Sequence, residues 1–207
     1  KALQAQINPH FLYNALSVIS SMSMRENGKR TVECLRYLAD FYRISLNKGR
    51  EVISIEQELE LLQNYMKIQK IRFGEDVVIR YEADEDVLQC RTIKLILQPL
   101  VENAIIHGIA RKEEGGRIFL RIWKQKDKLV ISLADTGVGM DEETLKRLMD
   151  ALKGHRTARV GIGLGNIYQR IKSMYEDGGL RIYSRAGKGT VVQIILPAVR
   201  EEDYQKI

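Results

Sequence analysis

The chain has 207 residues, with 33 Lys and Arg against 27 Asp and Glu, a formal charge of +6, 44% hydrophobic residues and two cysteines. That length and composition fit two small domains joined by a helix, each large enough for a core of its own. The cations are dispersed and lack an aromatic-basic motif, which argues against nucleic acid as the partner; Cys34 and Cys90 form no CxxC pattern and read as reduced thiols with no metal cluster; no apolar run is long enough to cross a bilayer and no signal peptide opens the chain.

The first element is helical from its first residue, since Lys1-Ala2-Leu3-Gln4 already belongs to an amphipathic pattern, which reads as a fragment cut from a longer protein. Leu3, Ile7, Phe11/Leu12, Ala15/Leu16 and Ile19 fall on one side of this helix, and Gln6, His10, Asn14, Ser17 and Ser21 on the other. His10 is therefore on the polar face, open to a reagent, with Asn14 one turn further along and stacked over it. Pro9 is either the first residue of a helix capped by Asn8 or a kink.

Arg25 to Lys29 reads as a turn, after which Val32, Leu35, Leu38/Ala39, Tyr42 and Leu46 recur at three and four, the period of a packed helix hairpin. Two helices cannot bury such faces alone, whereas two copies make a four-helix bundle, so a homodimer is expected. Ser54-Ile55-Glu56-Gln57 then resembles a capping box opening a third helix, with Ile55, Leu59, Leu62 and Met66 on one face and an end at Phe73-Gly74, expected to link the bundle to the second domain.

Beyond residue 75, strands are expected near 77–83, 117–124, 129–134, 180–185 and 190–196, interrupted by three short boxes. The first is Glu102-Asn103-Ala104 with His107-Gly108, in an apolar stretch from Leu95 to Ile109 that suits a mostly buried helix with Pro99 as a kink or in an N-terminal turn. Asn103 is a polar residue in apolar company, and its amide oxygen is a good hard ligand for Mg²⁺; His107 lies one turn on along the same face. The second box, Asp135-Thr136-Gly137-Val138-Gly139, comes after a strand and places Asp135 where a carboxylate can accept from an exocyclic amine such as that of adenine, while Gly137 and Gly139 let backbone come close to a flat ring or a phosphate.

The third box, Gly161-Ile162-Gly163-Leu164-Gly165-Asn166, opens a helix and reads as a phosphate cradle of unpaired N–H groups, without the Gly-Lys-Ser/Thr of a P-loop or the surroundings of a Rossmann fingerprint. Between the second and third boxes, Asp141 to Val160 holds Lys146, Arg147, Lys153, His155, Arg156 and Arg159 and reads as a short helix followed by a mobile lid whose cations meet a triphosphate.

Order and spacing of the boxes, followed by Gly187-Lys188-Gly189-Thr190 and a closing strand, make residues 75 to 197 resemble the ATP-binding domain of the GHKL group, shared by histidine kinases and by gyrase-type and Hsp90-type ATPases. The resemblance implies an α/β sandwich with a mixed sheet, Asn103 as magnesium ligand, Asp135 on adenine and Thr190 supporting Asp135. Together with the residues read above, the expected site for ATP and Mg²⁺ takes in Asn103, His107, Asp135, Gly137, Gly139, Lys153, Arg159, Gly161, Gly163, Leu164, Gly165 and Thr190. Asn8-Pro9-His10-Phe11-Leu12-Tyr13-Asn14 in turn resembles the phosphoacceptor box of sensor histidine kinases of the LytS/YesM type. An imidazole near its ordinary pKa of about 6.5 is largely neutral at cytoplasmic pH and can attack phosphorus with a ring nitrogen.

The implied whole is an α+β chain divided into residues 1–74, a helical dimerisation and phosphoacceptor domain with linker helix, residues 75–200, the ATP-binding domain, and a polar tail at 201–207. It would autophosphorylate His10 and pass the phosphoryl group to an Asp of a response regulator receiver domain, as the cytoplasmic portion of a membrane sensor whose membrane contact lies in a missing upstream segment. Phe11 stands where commoner histidine kinases carry a carboxylate after the histidine, which leaves Glu102 as candidate base, about 100° around the helix from Asn103. The spacing of Asn14 from His10 resembles that of the amide with which bifunctional kinases place a hydrolytic water. The competing reading is a GHKL-type module gated by ATP in which His10 is structural. A gyrase-like or Hsp90-like enzyme needs a Glu a turn before Asn103, where this chain has Pro99 and Leu100, and a serine-kinase anti-sigma factor lacks the hairpin that carries His10.

Overall fold

The computed structural model describes residues 9–24, 28–45, 51–73, 77–153 and 162–200. Helices come first, as α1 (Pro9–Met24), α2 (Gly28–Ser45) and, after the short strand β1 (Val52–Ser54), α3 (Ile55–Phe73). Phe11 of α1, 2% exposed, seals the three together: its ring centroid lies 4.8 Å from that of Phe41 on α2 and 5.0 Å from that of Tyr65 on α3. Tilted aromatic pairs of this kind add to the large area each ring buries. Leu3, Ile7, Asn8, residues 25–27 of the expected turn and Leu46 lie outside the described residues, whereas Gly28 and Lys29 of that turn already belong to α2.

The α2 helix carries two apolar stripes. Cys34, Leu38, Phe41 and Ile44 pack inward, whereas Val32 (66% exposed) and Leu35 (46%) of the expected hairpin series face out, as does Leu16 of α1 (47%). The α3 capping box forms as expected, with the Gln57 N–H donating to Ser54 Oγ and the Ser54 N–H to Gln57 Oε1, both at 3.2 Å. Ile55, Leu59 and Leu62 are buried, but so are Glu58, Leu61, Asn64, Tyr65, Ile68 and Gln69, so α3 is enclosed on more than the one expected face. β1 pairs antiparallel with β3 (Arg91–Ile93), a two-stranded ribbon too short to read from the chain.

The remainder is a mixed five-stranded sheet of β2 (Val77–Ala83), β4 (Gly116–Gln125), β5 (Lys128–Asp135), β6 (Gly179–Arg185) and β7 (Gly189–Pro197), in the order β2-β4-β5-β7-β6 with only β2 and β4 parallel. Each expected strand is present, because period-two alternation puts one set of side chains on the covered face. Leu120, Leu133, Val192 and Ile182 make one row across four strands, and Ile122, Ile131, Ile194 and Leu180 the next. Helices α4 (Leu97–Asn103), α5 (Glu142–Leu152) and α6 (Ile162–Met174) accompany the sheet, α6 contributing Ile167 and Ile171 to the core. Asp141 caps α5 by accepting the Thr144 N–H at 2.7 Å. Cys34 and Cys90 are free and buried.

Removing the Phe11 ring opens the junction of three helices: Phe11→Ala lowers the unfolding free energy in a urea titration by about 3–5 kcal/mol, and a loss under about 1 kcal/mol contradicts this packing.

Candidate functional site

The expected helix from 95 to 109 is shorter and more varied than its apolar pattern suggests. Leu95 is left-handed at φ 59, α4 runs from Leu97 to Asn103, a π-helical turn covers Ala104–Gly108, and a 3₁₀ turn covers Ile109–Arg111. Pro99 is the third residue of α4, so it occupies the first turn, where a missing N–H is no loss, and it makes no kink. The π-helical turn widens the backbone at the point where Gly108 leaves the helix, a device common at functional sites.

Helix α4 lacks a capping side chain of its own at Ile96. The cap comes from α3: Glu58 Oε1 accepts the N–H groups of Ile96 at 2.6 Å and Leu97 at 2.8 Å, and Oε2 that of Leu95 at 2.9 Å. Glu58 is only 1% exposed, and burial pushes its carboxyl upward while the three N–H groups and the Arg170 guanidinium pull it back. Three donors on two oxygens is the arrangement of an ionised carboxylate. Arg170 of α6 donates to the Lys94 carbonyl at 2.7 Å, so α3, α4 and α6 meet at one buried polar junction.

At the other end of α4, Asn103 Nδ2 donates to the Pro99 carbonyl at 2.7 Å. Only the NH₂ side of an amide can do this, so the bond orients the amide oxygen away from its own helix. A Cβ on Gly163 would lie 3.0 Å from Asn103 Nδ2; a bare glycine in the first turn of α6 is what lets the first and third boxes touch. Gly163, Leu164 and Gly165 are thus helical residues of α6, half-buried, with Asn166 exposed. Arg159 and Gly161 lie outside the described residues.

The second box meets the first through its backbone. Asp135 ends β5, opposite Thr190 of β7 and in the inward row one step beyond Leu133 and Val192. Its Oδ1 accepts the Gly137 N–H at 2.8 Å, and a Cβ on Gly108 would come within 2.9 Å of that same oxygen. A Cβ on Gly137 would strike the Gly108 backbone, whose carbonyl accepts the Val138 N–H at 3.2 Å. Gly139, at φ 64, turns its bare face to the Arg185 carbonyl. The close approaches that these glycines permit within the protein are therefore to other boxes and turns.

Asp135 is 9% exposed, and burial raises its carboxyl pKa, partly offset by backbone N–H groups of Gly137 and Thr190. The Thr190 hydroxyl lies 2.8 Å from Ser184 Oγ. Ser184 is not a candidate from sequence, yet it accepts the Met140 N–H at 2.9 Å and donates to the Gly189 carbonyl at 3.0 Å, tying the second box to the turn before β7. Its one signal is its register, a hydroxyl two residues after Ile182 on the inward side of β6.

Asn103, Gly163, Gly108, Asp135 and Gly137 thus form one connected set. His107 is exposed in the π-helical turn, Glu102 is half-buried beside Asn103, and Lys153 is exposed at the end of α5. Asn14 is half-buried on α1, which also carries His10, whose side chain is outside the described ones.

Residues 1–77 match the family model described as Histidine kinase, and residues 88–200 that described as Histidine kinase-, DNA gyrase B-, and HSP90-like ATPase. The chain belongs to this ATPase family, and membership implies ATP binding. Sensor histidine kinase YesM of Bacillus subtilis is 36% identical over 202 residues, 97% of this chain and 33% of the relative. Sensor protein LytS of Oceanobacillus iheyensis is 36% identical over 198 residues, 94% of this chain and 34% of the relative. The chain therefore spans about a third of the length of the curated relatives it matches.

In fold, it is similar to the catalytic domain of the histidine kinase ThkA in a nucleotide-free form, with TM-score 0.54 and 20% identity over 72% of this chain and 97% of that one. It is also similar to the histidine kinase domain of a blue-light activated kinase from Erythrobacter litoralis, with TM-score 0.53 and 18% identity over 95% of this chain and 89% of that one.

Because the folded pKa of Asp135 lies above its ordinary 3.8, the folded state keeps a proton that the unfolded chain loses as pH rises past that value. Stability then falls until the folded pKa is passed. Asp135→Asn removes this slope. In urea titrations without nucleotide its stability relative to the parent rises as pH rises from near 3.8 and then levels off, and a relative stability that declines over that interval contradicts the assignment.

Proposed function

We propose that this chain is the catalytic portion of a sensor protein-histidine kinase. Residues 75–200 bind Mg²⁺·ATP and deliver the γ-phosphoryl to His10 within residues 1–74, and from His10 it passes to an aspartate on the receiver domain of a response regulator. The observation that carries the reading is the Asn103 amide, its oxygen directed away from its helix beside Gly163, joined through Gly108 to the buried acceptor Asp135, in a chain whose α1 bears His10.

The donor set fits the groups concerned. Asn103 offers a hard oxygen to Mg²⁺, which supplies charge neutralisation at the phosphates when bound. Asp135 is a recessed acceptor for the adenine amine, held by Gly137 and Thr190, with Gly139 shaping the turn beside it. The N-terminal turn of α6, with Gly163, Leu164 and Gly165, offers N–H groups to phosphate, and Gly161, Arg159 and Lys153, which precede it in sequence, and His107, which follows Asn103, are assigned to the same phosphates.

At His10 a ring nitrogen attacks the γ-phosphorus; the N–P bond forms as the bond to the bridging oxygen breaks, ADP leaves, and the imidazole N–H proton passes to a base, for which Glu102 is this chain's candidate. Asn14, one turn from His10, is assigned to placing water for hydrolysis of a phosphorylated partner. The exposed Leu16, Val32 and Leu35 support a homodimer in which a second hairpin completes a four-helix bundle. No helix among the described residues is long and apolar enough to cross a membrane, and on this reading membrane attachment belongs to sequence outside this chain.

Incubation with Mg²⁺ and γ-labelled ATP yields a protein-bound label that acid removes and alkali spares, absent from His10→Gln and slowed roughly 10²-fold in Asn103→Asp. ATP binding that depends on Asn103 without label at any time overturns the kinase reading in favour of a nucleotide-gated module.

A further inference from the structure

The buried junction of Glu58, Arg170 and Lys94 takes no part in phosphoryl transfer, yet it sets the starting point of the helix that ends at Asn103. Three features distinguish it from ordinary capping. The acceptor comes from another helix, 39 positions earlier than the last N–H it holds. The three N–H groups converge only because Leu95 adopts φ 59, a conformation that branched side chains rarely take and that persists only when its surroundings enforce it. Finally, the charge is balanced by Arg170, which lies seven residues along α6 from Gly163, the glycine packed on Asn103, and whose guanidinium grips the carbonyl immediately before Leu95.

Lys94 adds a second cation, 5% exposed, lowered in pKa by burial and by Arg170 and partly restored by Glu58 and Glu51. Removing the Glu58 charge leaves two cations, the buried Lys94 and the half-buried Arg170, near the positive end of α4 without that carboxylate. The expected outcome is displacement of α4 against α6, and thereby of Asn103 against Gly163.

We propose that Glu58 is a positioning residue for the metal end of the nucleotide site, through which the placement of the linker helix α3 is read at Asn103. This rests on the assignment of Asn103 to Mg²⁺. The adenine end is held chiefly by β5 and β7 and is affected less.

The test is calorimetric titration of the whole chain with ATP in Mg²⁺ and in EDTA, giving the Mg²⁺-dependent gain in affinity. Near-ultraviolet circular dichroism and thermal melting establish that each variant is folded. Glu58→Gln keeps the shape and loses most of the gain, about tenfold in affinity, while its EDTA affinity changes less than about twofold. Arg170→Lys, which keeps the charge but not the planar grip on Lys94, loses part of the gain. Ile122→Val, a core change in β4 away from the junction, keeps it. A merely structural role would lower the fraction of competent protein or weaken both titrations alike. A full Mg²⁺ gain in folded Glu58→Gln, or in folded Arg170→Lys should Glu58→Gln not fold, overturns the proposal. A Mg²⁺ gain that survives Asn103→Ala, which removes the ligand oxygen, overturns instead the reading of the metal site, and this proposal with it.

Discussion

A single buried carboxylate organises this molecule. Glu58 takes three consecutive backbone N–H groups at the start of α4, and without it that helix has neither a cap nor a reason for the left-handed Leu95. The left-handed residue alone costs about 1–2 kcal/mol, and ionising a carboxylate out of water costs several more. Three charge-assisted hydrogen bonds and a nearby guanidinium offset these terms. From there the constraint runs down α4: Asn103 is held against its own Pro99 carbonyl and against Gly163, and the π-helical turn delivers Gly108 to the Asp135 carboxylate. The three boxes, widely separated along the chain, meet because one short helix is fixed at both ends.

The sheet supplies the other fixed frame. Asp135 sits one inward step beyond a row of Leu and Val, so its position follows from strand register and its burial from the rows beneath it. An acceptor held by backbone N–H groups before any partner arrives is already organised for a donor, such as the ring amine proposed for it. The elevated pKa is the cost of that arrangement, and it falls on stability in the absence of nucleotide.

Much of this is legible in the chain because it is local. Ser54 and Gln57 announce their reciprocal cap, Asp141 its helix, and Ile118, Leu120 and Ile122 their strand, since caps and alternation depend on neighbours a few residues apart. Tertiary contacts are not legible in this way. Glu58 reads as one more acid in the first turn of a helix, and only its place opposite α4 makes it a buried cap. The π-helical turn replaces the end of an apolar run that periodicity assigns to plain helix, because Gly108 must reach Asp135. The inward stripe of α2, through Cys34, Leu38, Phe41 and Ile44, and the outward one through Val32 and Leu35 share the same helical period, so pattern alone does not say which packs within the chain. Ser184 owes its role to a register across β6 and β7.

The central claim is that the three boxes form one metal-nucleotide site with the cation at Asn103. The most direct measurement is nuclear magnetic resonance on the isotopically labelled chain with Mn²⁺ replacing Mg²⁺ in the presence of ATP, reading which amides the paramagnetic ion broadens. The account predicts the strongest broadening at the Asn103 side-chain amide and the backbone amides of Gly163 and Gly165, with Gly137 shifted by ATP but less broadened. Broadening centred elsewhere, with the Asn103 amide left sharp, would contradict it.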